Sequence, residues 1–169
     1  MDLREFLVDQ YRHMEWADAA VWHAILESER ASADEVLRER LHHIHLVQRM
    51  FLRMWRGEAV DPQVGQGLRG EALAHWAREY HAQAHALLAE IAEEDLDRPI
   101  VFPWTQQVAE RLGFEPSLTT LRDTAAQVYA HTAHHRGQVM TRLRELGGNP
   151  PLIDFIAWVW RGRPEAVWP

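Results

Sequence analysis

"YAHTAHHRGQVMTRLRELGGNPP", residues 129–151, puts three histidines into five positions of a helical pattern that halts at glycine and proline. Leu121, Val128, Val139 and Leu146 recur on one stripe, so the stretch predicts a long helix over 118–146 ended by "GGNPP". What that helix packs against follows from the rest of the chain.

Working outward, every long segment reads as helix. Residues 2–28 carry Leu3, Leu7, Met14, Val21 and Ile25 at helical spacing, and residues 33–56 carry Leu37, Leu41, Ile44, Phe51 and Trp55. "GEAVDPQVGQGLRG", residues 57–70, breaks the pattern with glycine and proline. A third helix is predicted over 71–94, with Leu73, Trp76, Tyr80, Leu87 and Ile91 inward. Pro99, Pro103, Gly113 and Pro116 make residues 95–117 a long, partly extended crossing with a short helix at 105–112. "LIDFIAWVW", residues 152–160, closes the chain as a short helix. The expected fold is all-α: a single domain over residues 1–169, a four-helix bundle with one long crossover connection.

Composition narrows the chemistry. The chain has 169 residues and a net charge of −7 with no basic run, which argues against nucleic acid as a partner. There is no cysteine, which removes disulfides, thiol nucleophiles and thiolate zinc sites. All 18 basic residues are arginine, which removes Schiff-base lysines and the lysine of a phosphate-binding loop. Ser28, Ser32 and Ser117 are the only serines, and none lies in a nucleophile elbow. No apolar run approaches the ~20 residues of a membrane span. "MDLREFLVDQYRH" lacks the apolar core of a signal peptide, so a cytoplasmic location is expected. What remains abundant is histidine, eleven copies, and tryptophan, eight.

At ~100° per residue, His131 and His135 fall on the inner stripe of the last long helix, with His134 at its edge and Arg136 off it. His81 and His85 share the same spacing but fall away from Leu73, Tyr80 and Leu87. With His75, they read as a solvated face. In "LHHIHLVQRM", residues 41–50, His42 points outward, and His43 and His45 sit on opposite shoulders of the stripe. Val36, Val47, Met50 and Met54 widen the stripe toward His43, while Arg38, Arg49 and Arg53 flank His45. His43 is therefore the better inward candidate. Inward imidazoles read either as a hydrogen-bonded core group or as metal ligands. Three of them with open positions form the donor set of a catalytic zinc, nickel or iron site.

Asp18 shares the inner stripe of the first helix, where a carboxylate needs a partner. Three roles fit it: orienting a ligand histidine, acting as base on bound water, or pairing with an arginine at the bundle mouth. Gln138, one turn after His135, is a weaker candidate to support a ligand. Arg136 is expected to bond to the protein or to a partner subunit. Trp16, on the outer face of the first helix, and Trp158 with Trp160 near the C-terminus offer large apolar surface and predict a homodimer.

"HTAHHRGQVMTRLRELGGNPP" resembles the H-x-x-H-H-R-G-Q signature of the DinB/YfiT-like metalloenzyme family. "LHHIHLVQRMFLRMWRGE", "QYRHMEWADAAVW" and "PPLIDFIAWV" are similar to that family's second helix, first helix and C-terminal segment, in the expected order. The resemblance implies one divalent metal, zinc or nickel, held by His43, His131 and His135. The family usually has asparagine where this chain has Asp18. Members with assigned activities use low-molecular-weight thiols such as bacillithiol or mycothiol. The resemblance thus implies a thiol S-transferase type of reaction on a small molecule. A metal-dependent hydrolase and a non-enzymatic, stress-associated metal-binding protein are the alternatives.

Overall fold

The computed structural model describes residues 2–169, and among them the secondary structure is helical, with one isolated β-bridge between Pro99 and Thr120. Helix α1 spans Leu3–Leu26 and opens on a reciprocal cap. Asp2 accepts from the Glu5 amide at 2.7 Å, and the Glu5 carboxylate accepts from the Asp2 amide at 3.1 Å. A single turn, α2 (Glu29–Ser32), leads into α3 (Glu35–Trp55), whose cap is Asp34. Then come α4 (Gly70–Glu90), a 3-10 turn at Glu93–Asp97, α5 (Thr105–Leu112), α6 (Leu121–Glu145) and α7 (Phe155–Trp160). Thr120 and Asp123 cap α6 as Asp2 and Glu5 cap α1. Gly113 ends α5 with φ +74°, a left-handed conformation that glycine adopts without steric cost.

The four long helices close a ring in which α1 and α3 each pack on both α4 and α6. Tyr11, Met14, Leu52, Trp55, Tyr80 and Val128 fill one half of the core. Val21, Trp22, Ile44, Leu73, Val139 and Leu143 fill the other. The helix expected over 71–94 stops at Glu90, because Ile91 turns extended and the following 3-10 turn buries Leu96. The crossing is as expected, including its short helix at 105–112. It leans on α3 through Phe102, whose ring lies 5.4 Å from that of Phe51.

The tryptophan expectation needs correcting. Trp16 is not on an outer face: with Ala17 and Trp158 it forms a third buried cluster under the C-terminal segment. His13 ties this segment down. Its Nε2 donates to the Ile153 carbonyl at 2.8 Å, and its Nδ1 accepts from the Tyr129 hydroxyl at 3.0 Å. Trp160 stays 79% exposed, and Leu152 and Ile156 of the same C-terminal segment are exposed too, so it alone of the three tryptophans offers outward apolar surface. No helix of the described residues is long and apolar enough to cross a membrane.

Candidate metal centre

Helices α3 and α6 run antiparallel and are stitched by four polar contacts along their length. Arg142 Nη2 meets Asp34 Oδ2 at 2.7 Å, and Arg40 Nη1 donates to the Gln138 carbonyl at 2.8 Å. Gln48 Nε2 donates to Thr132 Oγ1 at 3.2 Å, and Trp55 Nε1 to Thr124 Oγ1 at 2.8 Å. Around the middle two contacts, the groove brings together His43 from α3 and His131 and His135 from α6. The ring centroids of His43 lie 5.2 Å from His131 and 4.7 Å from His135, and those of His131 and His135 are 4.3 Å apart. Each ring offers a nitrogen, and these atoms lie within 4.8 Å of one another, close enough for one ion to collect.

The trio does not sit in the core, as the helical faces suggested. His43 is exposed and His131 and His135 are half-buried, so the centre is a lined groove open on the His43 side. Burial pushes the His131 imidazolium down to about 4, with the nearby His135 and His43 rings adding to the effect. His43, although exposed, is likewise lowered, first by partial loss of water around its ring and then by His135 and His42. Both rings are therefore neutral at pH 7 and present lone pairs. His131 Nδ1 is buried with no hydrogen-bond partner, an unmet polar atom of the kind a cation relieves. The donor set and this orphaned nitrogen fit a divalent ion.

Gln138 settles the tautomer of one ligand candidate. Its Oε1 lies 2.9 Å from His135 Nδ1, and an amide oxygen can only accept, so His135 carries its proton on Nδ1 and its lone pair on Nε2. The other end of the amide donates to His134 Nε2 at 3.2 Å, which fixes its orientation.

Asp18 lies elsewhere. It is buried where the four long helices meet and is bonded from three of them. Arg136 Nη1 of α6 donates to Oδ1 at 2.6 Å. His81 Nε2 of α4 lies 3.0 Å, and Gln48 Nε2 of α3 3.1 Å, from Oδ2. Burial alone would raise the carboxyl. The Arg136 guanidinium and the His81 hydrogen bond outweigh it and hold Asp18 well below the ordinary carboxylate range. Of the three roles expected for Asp18, the geometry selects the ion pair with an arginine, in the core rather than at a mouth. Three other expectations fall with it. Arg136 faces the core instead of lying off the inner stripe, though it bonds to the protein as expected; His81 is fully buried rather than solvated; and on α3 it is His45, not His43, that points inward. His85 is half-buried, its Nε2 2.8 Å from Glu15, whereas His75 is exposed as expected.

His45 completes this interior network. Its Nε2 accepts from Trp22 Nε1 at 3.1 Å and its Nδ1 meets Gln48 Oε1 at 2.8 Å. Burial drives its imidazolium down to about 4, and the ring is neutral. A signal for the network existed in the sequence. Gln48 sits at the spacing of Leu41, Ile44, Leu52 and Trp55, and Thr132 and Arg136 at that of Val128, Val139 and Leu143. A family model described as DinB superfamily matches residues 11–139. No curated protein and no solved structure matches the chain.

Proposed function

The chain belongs to the DinB superfamily, and from its groove of three imidazoles we propose that it binds one divalent ion, zinc or nickel, through His43, His131 and His135. The observation that carries this reading is the convergence of three ring nitrogens from two helices, one ring having a buried nitrogen with no partner. Three protein donors leave coordination positions free, whereas a purely structural zinc site is usually closed by four. With His43 exposed, the groove is open to solvent and to a small molecule.

We further propose that the protein is a metal-dependent enzyme of the thiol S-transferase type, acting on a small molecule. A bound ion would supply a Lewis-acidic position that lowers the pKa of a thiol or of water. The chain's own part is to hold the lone pairs: Gln138 keeps His135 in one tautomer, and partial desolvation with the neighbouring imidazoles keeps His43 and His131 neutral. The lack of cysteine supports a borrowed thiol, since no nucleophilic sulfur is built in.

The test is to load the protein with zinc or nickel and screen small thiols against a generic electrophile, beside His43→Ala. Turnover that disappears in the variant is the expected result. Ester or amide hydrolysis without a thiol would replace the transferase by a hydrolase. Neither activity in a metal-loaded protein would leave a metal-binding protein without catalysis.

A further inference from the structure

Arg136 and His135 are neighbours on α6, yet they face different partners. His135 looks across the groove at His43, while Arg136 points into the core and donates through Nη1 to two groups of α1. One is the Met14 carbonyl at 3.2 Å and the other is Asp18 Oδ1 at 2.6 Å. Thr132 stands in the same relation to His131, facing inward to accept from Gln48 of α3. Both inward side chains are buried. In a helix, adjacent residues are separated by a fixed ~100° turn, so pinning residues 132 and 136 also fixes the directions of 131 and 135.

We propose that Asp18 and Arg136 are positioning residues for the three-imidazole groove: their ion pair locks the rotation of α6 so that its two histidines face His43. This rests on the metal-site reading above. Apolar contacts alone leave the rotation of a helix loosely specified, because neighbouring apolar stripes substitute for one another. A short charged bond at a buried point does not slide in this way. Gln48 extends the lock to α3, since the same amide nitrogen bonds both Asp18 and Thr132. The helix that carries His43 is thereby set against the helix that carries the other two rings.

The test separates positioning from folding. Replacing a buried ion pair by apolar residues of similar size often leaves stability unchanged, so the main variant is the double Asp18→Leu/Arg136→Met. Asp18→Asn, which keeps the shape and removes the charge, is the second. Each is titrated with cobalt(II), whose visible d–d bands report ligand geometry, and checked for helicity by circular dichroism. Both variants are expected to stay helical, to bind cobalt about 10- to 100-fold more weakly, and to show shifted bands. Should the double variant fail to fold, Asp18→Asn carries the decision. Wild-type affinity and bands in a helical variant would overturn the positioning role and leave the metal site standing. Wild-type protein that takes up no cobalt would overturn both.

Discussion

Gln48 lies 2.8 Å from His45, 3.1 Å from Asp18 and 3.2 Å from Thr132, so one carboxamide joins α1, α3 and α6. Its oxygen accepts from the His45 ring and its nitrogen donates to the carboxylate and the hydroxyl. No other side-chain type of that length offers an acceptor and two donors in one plane. Gln48→Leu therefore strands His45 Nδ1 and removes a donor from Asp18. It is expected to lower unfolding free energy by about 2–4 kcal/mol in urea titrations. Gln48→Glu should do worse, because it places a second carboxylate beside Asp18.

Breaking the ion pair from one side is expected to be costlier than removing it whole. Asp18→Ala leaves the Arg136 guanidinium buried without its anion and should destabilise by roughly 3–5 kcal/mol. The double Asp18→Leu/Arg136→Met should lose far less. The comparison is made by urea denaturation at pH 7, and equal losses in the two variants would contradict it.

The helices were legible in the sequence because four amphipathic stripes and their glycine and proline stops are local signals. Their rotational phase was not. On α6 the apolar residues alone, with Leu146 counted and Thr132 and Arg136 discarded, turn the inner face toward His131 and His135. The true face runs through Val128, Thr132, Arg136, Val139 and Leu143. On α4 the small residues Ala77 and Ala84 open room for His81, which a reading weighted to large side chains sends outward. His43 met its partners although it is exposed, because the groove, not the core, is where α3 and α6 share an edge. Buried polar networks defeat hydrophobic periodicity for a plain reason: each member is stable inside only through partners on other helices, which no single segment displays.

Gln138 is expected to matter to metal affinity without being a ligand. Gln138→Leu frees His135 to adopt the other tautomer, and affinity should fall about 10-fold or more. A competition titration against a chromophoric chelator reads this directly, and unchanged affinity would remove the support role.

His13 predicts an acid-sensitive C-terminal segment. Burial lowers its pKa most, with Arg136 adding to the fall, while the Ile153 carbonyl, Asp18 and Asp154 pull the other way without reversing it. A histidine with a folded pKa below its unfolded ~6.5 contributes stability that is present above that value and lost as pH falls below it. Protonated Nδ1 can no longer accept from Tyr129. With the slower intrinsic exchange at low pH divided out, residues 152–160 should therefore lose hydrogen-exchange protection between pH 7 and pH 5 more than α1 does. His13→Gln should blunt the change.

Two copies are expected to pair through the exposed Ile156 and Trp160 of α7. Light scattering at micromolar concentration should give a dimer mass, and Ile156→Ser/Trp160→Ser a monomer mass. A monomeric wild type would end this expectation.

The central claim is that His43, His131 and His135 hold a divalent ion. It is tested most directly by elemental analysis of untagged, purified protein beside His131→Ala. Close to one zinc or nickel per chain is expected in the wild type, and a near-complete loss in a variant that remains folded. Equal metal content in the two proteins would contradict it.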